Sequence, residues 1–335
     1  MFKKFYEKTK RYIIKNHNFL LFLVLLFIVL NIKTPYIINA PGGTMSLSDR
    51  VYINGKKIKS NYHTTYVKVI EGKVAGVIAS YIFPNWDLEK YEEYNGDTDL
   101  SYEEFNKVEK LMMEDGNNQA IKTALEKAGV DYKIINSRLV VSYKHSEYKN
   151  NLKIGDVIKT CDSKTIESLD ELHECVINSD DEVRLTVLRN GKNKEVTAKT
   201  HAYENEKIIG ISVINLFDIE SKYDIKIKTS SSESGSSGGF MTTLSIYSEI
   251  ANLNIPKDIK IAGTGTIEEK EKIGRIEGIK YKLLGSEKEN VDIFFVPKDN
   301  YDEAIKVKKK YKLKMKLVEV EKLDDAINYL NNIKR

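Results

Sequence analysis

The feature that most limits what this chain can fold into is an uncharged apolar run, Phe19 to Leu30, set directly behind a basic segment. Lys3, Lys4, Lys8, Lys10, Arg11 and Lys15 precede it against a single acid, Glu7. Such a run has no stable place in water and must be covered by protein or by lipid. Alone it would span about 20 Å, short for a bilayer. Ile13 and Ile14 lengthen it on one side, Ile32, Tyr36, Ile37 and Ile38 on the other, and Lys15 and Lys33 can reach the two interfaces. A cleaved signal peptide is the competing explanation. It would need Ala40 as the cleavage residue, with Ile38 two places before it and Pro41 after it, which is a poor site. The expectation is therefore an uncleaved single-pass signal anchor in the cell membrane. Residues 1–17 form a cytoplasmic basic segment, 18–38 the transmembrane helix, and the remainder is extracellular.

At 335 residues the chain is too long for one ordinary core and calls for two or three domains. A net charge of +4 is small for this size and gives no support for nucleic-acid binding. Five scattered histidines offer no metal spacing and no Ser/His/Asp triad, so no metal is expected. Asp97-Thr98-Asp99 begins like a calcium loop but lacks the later Gly and Glu, and is expected to be a solvated loop. Cys161 and Cys175 would lie in an oxidising compartment, where a disulfide and two buried thiols are both open.

Beyond Pro41-Gly42-Gly43, taken as the end of the anchor helix, residues 41–136 read as an extracellular supporting β/α region. Val51 to Ile58 is a hairpin around Asn54-Gly55. Tyr62–Ile70 and Val74–Ile82 are expected as strands. Ser101 and Glu104 form a capping box for a helix to about Glu114, and a second helix runs from about Asn117 to Lys127. Residues 137–201 have a hydrophobic logic of their own. Leu152-Lys153-Ile154-Gly155-Asp156-Val157-Ile158 turns into a strand, Ser168 caps a helix, and Val183–Val187 alternates before Asn190-Gly191. This succession resembles a bacterial PDZ domain, and the resemblance implies recruitment of extended peptide ends by strand addition.

From Ile209 strands and helices alternate. Gly235-Ser236-Ser237-Gly238-Gly239 stands at a junction into a helix carrying Phe240, Leu244, Tyr247 and Ala251 on one face. The helix's free N–H groups could receive an oxyanion there. The plainer alternative is a serine-rich flexible linker over Thr229–Gly239. Downstream stand Thr264-Gly265 and Glu277-Gly278-Ile279-Lys280, with a helix expected to begin near Tyr281.

These three motifs, in this order, resemble the proteolytic domain of Lon-type serine peptidases. With the anchor and the PDZ-like unit, the whole chain is similar to the membrane-anchored PDZ–Lon-like peptidases of Gram-positive bacteria. The resemblance implies an α+β multidomain protein with a Lon-like α/β domain over 208–335. It assigns Ser237 as nucleophile and Lys280 as base, Gly235, Ser236 and Gly238 as the loop around the oxyanion, and Thr264 as support. The implied activity is ATP-independent serine endopeptidase action on extracellular peptides or exposed protein segments, without cofactor; the phosphate-binding loop of an ATPase is missing from the sequence. Self-assembly into a homo-oligomer is also implied, though no interface can be read.

Two departures stand out. Ser236 occupies the family's proline position and Gly238 its alanine position, and Glu277 replaces a glycine. A carboxylate three residues from Lys280 would hold that amine charged. The alternative function is therefore a catalytically degenerate, membrane-tethered PDZ adaptor.

Overall fold

The computed structural model describes residues 2–96, 98–148, 150–204, 206–253 and 258–333. Asp97 of the calcium-like loop lies outside them. The chain divides into two compact units, residues 1–41 with 67–98, and residues 42–66 with 99–335.

In the first unit, helices Phe2–Lys15 and His17–Leu30 meet at a bend of 76°. Among the described residues no single helix is long and apolar enough to cross a membrane; only this bent pair meets the length and composition together. The apolar helix ends at Leu30, so residues 33–38, counted above as part of the span, are strand instead. Asn31 caps the helix, and strand Lys33–Ser46 then pairs Tyr36–Asn39 antiparallel with Asp87–Lys90. Ile37 and Ile38 are buried there, which is why they do not extend the exposed apolar helix. Val74–Ile82 is a helix and not a strand. Its β-branched residues favour extension. Packing decides otherwise, because Gly76 lets the helix backbone close on Ile38.

In the second unit, a five-stranded path runs Lys192–Lys199, Glu182–Arg189, Val157–Cys161, Tyr132–Lys144, Ile211–Ser221. Helix Leu169–Asn178, capped by the Ser168 hydroxyl, adds Leu172 and Val176 to its core. The Gly155-Asp156 turn has a clear basis. Gly155 takes φ +89°, and the Asp156 carboxylate accepts from the Lys153 N–H at 2.8 Å and from the Arg189 guanidinium at 2.6 and 2.7 Å. Cys161 and Cys175 are joined in a disulfide that ties strand to helix. Strand Ile211–Ser221, expected to open the C-terminal domain, pairs instead with Tyr132–Lys144 in this sheet.

A second sheet of this unit is parallel over the strands that matter here. Ile261–Gly263 lies between Ile293–Pro297 and Tyr62–Thr64, and Lys316–Val320 pairs with the far side of Ile293–Pro297. Alternation splits the apolar side chains between two faces. Ile261, Ile293 and Phe295 join one cluster with helices Gly239–Ile250 and Leu323–Asn331; Ala262, Phe294 and Val296 join another with Ile279–Lys288 and Lys298–Tyr311. Helix Gly239–Ile250 is buried on most sides, not on one face, because helix Tyr102–Lys127 packs over it. That long helix is continuous through Gly116, where the sequence suggested two.

Candidate active site

The site forms at the end of strand Ile261–Gly263, where the two faces of the parallel sheet meet. Helix Gly239–Ile250 enters from one face and helix Ile279–Lys288 from the other. Ser237 sits in the turn before the first helix. Its carbonyl accepts from the Gly265 N–H at 2.8 Å and from the Thr264 hydroxyl at 3.1 Å. The Phe240 N–H donates back to the Gly265 carbonyl at 3.1 Å, so the serine turn is stitched to the strand end from both sides.

Two glycines shape this turn. Gly235 adopts φ +87°, its N–H donates to the Glu109 carbonyl at 2.9 Å, and a Cβ there would stand 3.0 Å from the Glu109 carboxylate. Gly116, inside the long helix, would carry its Cβ 3.1 Å from Ser236 Cβ and 3.3 Å from Ser236 Cα. The long helix therefore lies close against the serine turn at a position where any side chain larger than glycine meets a tight contact.

The amine that meets Ser237 belongs to Lys282. Its Nζ lies 2.7 Å from Ser237 Oγ and 2.8 Å from Thr264 Oγ1. Lys280, assigned as the base from the motif, is not at the site; its Nζ stands 5.2 Å from the centroid of the Tyr281 ring. The reason is helical geometry. Gly278, at φ +72°, caps a helix that begins at Ile279. Two residues along a helix turn by about 200°, so Lys280 and Lys282 face opposite ways. Ile279, Lys282, Leu283 and Ser286 share the buried face. That periodicity in the sequence points to Lys282, whereas the position within the motif points to Lys280.

Lys282 is 3 % exposed and Thr264 fully buried. Burial pulls the Lys282 amine down from its ordinary value to about 7, against the opposing pull of the Glu109 carboxylate. Burial in turn pushes the Glu109 carboxyl up, with the lysine drawing it down. Glu109 is the second residue that sequence analysis missed. It comes from the long helix, far from the motifs in sequence, and nothing local marks it. Glu277 is not that anion. Its side chain is 89 % exposed and faces Arg275 at 3.7 Å.

The arrangement thus brings together Ser237, Gly235, Ser236, Gly238 and Thr264 and adds Lys282 and Glu109. Among the described residues, the Ser237 and Gly238 N–H groups make no backbone hydrogen bond and lie in the turn that opens helix Gly239–Ile250. A half-buried hydroxyl, a neutral-capable amine and free N–H donors in one place suit acyl transfer.

Comparison with known proteins agrees with this chemistry. Residues 192–332 match the Lon protease (S16) C-terminal proteolytic domain, and residues 122–200 match the PDZ domain family. A stretch of 96 residues, 29% of the chain, is 33% identical to the Lon protease of Metamycoplasma arthritidis (strain 158L3-1), of which it covers 11%. Among solved structures, the PDZ domain of the SdrC-like protein from Listeria monocytogenes aligns at 20% identity. It covers 24% of this chain and 93% of that one, with a TM-score of 0.23. The chain is a mixed α+β multidomain protein with a PDZ domain and a Lon-type proteolytic domain, and is homologous to Lon protease over the matched stretch. Those domains point to a serine peptidase.

Proposed function

We propose that this chain is a membrane-tethered, ATP-independent serine endopeptidase working through a Ser237–Lys282 dyad on the extracellular side. The observation that carries the proposal is the 2.7 Å approach of a buried amine with a pKa near 7 to a hydroxyl at a helix start.

Neutral Lys282 takes the Ser237 proton as Oγ adds to a peptide carbonyl carbon. The new oxyanion is received by the Ser237 and Gly238 N–H groups, each donor of this kind being worth about 10²–10³ in rate. Collapse breaks the C–N bond, and the Lys282 ammonium returns its proton to the leaving amine. Water then attacks the acyl ester with Lys282 again as base, and the ammonium finally reprotonates Ser237 Oγ. Thr264 accepts from Lys282 and donates to the Ser237 carbonyl, which orients the amine's lone pair on the nucleophile.

The PDZ domain would recruit substrate and raise its local concentration without joining the chemistry. The basic helix and the exposed apolar helix His17–Leu30 support tethering, with the basic end in the cytoplasm. Labelling with a serine-reactive fluorophosphonate tests the enzyme directly. Wild-type protein should be labelled, and Ser237→Ala and Lys282→Ala should not; an unlabelled wild-type chain would favour the adaptor.

A further inference from the structure

The segment from Val74 to Trp86 carries no charge and takes no part in the chemistry above. It forms helix Val74–Ile82 and a turn in which the Phe83 and Trp86 rings lie 5.0 Å apart. One side of the helix is closed, because a Cβ at Gly76 would stand 2.6 Å from Ile38 Cδ1. The other side is open. Ile78 is 50 %, Tyr81 82 %, Ile82 69 % and Phe83 51 % exposed. Single exposed apolar residues are ordinary, but four together on one short uncharged segment mark a surface meant to be covered.

We propose that this face is covered by lipid: helix Val74–Ile82, with Phe83 and Trp86, lies in the membrane interface beside the end of the apolar helix. The inference rests on the proposal that His17–Leu30 enters a bilayer.

Three observations select lipid over a protein partner. The first is continuity. The Val74 N–H donates to the Ile32 carbonyl at 3.1 Å, so the helix starts level with the end of His17–Leu30, whose own side chains are exposed. The second is length. The 14 residues of His17–Leu30 span about 21 Å, against about 30 Å of hydrocarbon. A span this short draws neighbouring apolar surface into the bilayer or thins it. The third is composition. Polar partners gather at the same level, Lys33 on Glu71 at 2.7 Å and Lys73 on Asn31 at 3.3 Å, as a water–lipid boundary requires. Tyr81 and Trp86 are the residue types that settle at that boundary.

Trp86 is the chain's one tryptophan, so its native fluorescence reports this face alone. Full-length protein would be reconstituted with phosphatidylcholine/phosphatidylglycerol vesicles, plain or with brominated acyl chains, and floated on a density gradient. The expected result is flotation with blue-shifted Trp86 emission, quenched about twofold or more by the brominated lipid. Ile78→Glu combined with Ile82→Glu should still float and still label at Ser237, with the quenching lost. A floating chain whose Trp86 emits as in water and is not quenched would overturn this inference while leaving the anchor intact. Trp86 shielded from water but unquenched, in a concentration-dependent manner, would mean a second copy covers the face and would overturn it too. A chain that does not float would overturn both proposals.

Discussion

At the scale of single residues, the amine carries the account. A lysine folded at a pKa of about 7 and unfolded near 10.5 binds fewer protons in the native state between those values, so stability should rise with pH across that window. Below about pH 7 the buried ammonium is carried at full cost. Lys282→Met should therefore be inactive yet melt higher than wild type at pH 6, with the gap closing toward pH 10; thermal melts over that range check it. Activity should climb as the amine loses its proton, with an ascending limb near pH 7. Glu109→Gln removes the anion that holds the proton on, and the limb should move to lower pH by several tenths of a unit to about one unit in kcat/KM profiles. Ser237→Ala should cost about 10³-fold or more, whereas Ser236→Ala should stay within about threefold, since Ser236 packs against Gly116 and does not meet the amine. Ser237, the proposed nucleophile, could be singled out in the sequence because its glycine setting is local. Lys282, the proposed base, could not, because it and Lys280 stand two residues apart and only the helix's starting point distinguishes their faces. Glu109 was illegible for another reason: its effect depends on a distant helix crossing the serine turn.

At the scale of elements, the long helix Tyr102–Lys127 shows how one residue type carries two meanings. Gly116 in the sequence signals a break between helices, yet its use is close approach to Ser236. Gly116→Val should push the serine turn away and lower kcat by about tenfold or more while the helix persists by circular dichroism. Gly116→Ala sets a gain in helix propensity against a tight contact and is the less informative variant. The capping box at Ser101 was readable, as were the Asn54-Gly55 and Asn190-Gly191 turns, because each is fixed by a few adjacent residues. Val74–Ile82 was not, since its β-branched run fits either period and packing on Ile38 chose the helix. The disulfide was left open by spacing alone. Joining Cys161 to Cys175 closes a loop of about 15 residues, so replacing both by Ser should cost the PDZ domain about 3 kcal/mol in urea unfolding. Labelling of Ser237 should survive that loss.

At the scale of the whole molecule, the PDZ domain and the Lon-type proteolytic domain after it could be read because each leaves a local pattern. The pairings that build the sheets could not. Tyr62–Thr64 lies beside Ile261–Gly263, and Ile211–Ser221 returns to Tyr132–Lys144; neither partner is signalled near the other in sequence. The candidate site depends on the parallel sheet, with Ser237 brought from one face and Lys282 from the other. Fluorophosphonate labelling of the full-length protein from pH 5 to 9 decides whether the folded chain is an enzyme run by the Ser237–Lys282 dyad. Labelling of Ser237 should rise through about pH 7, persist in Lys280→Ala and vanish in Lys282→Ala. Labelling that survives Lys282→Ala but is lost in Lys280→Ala would contradict it.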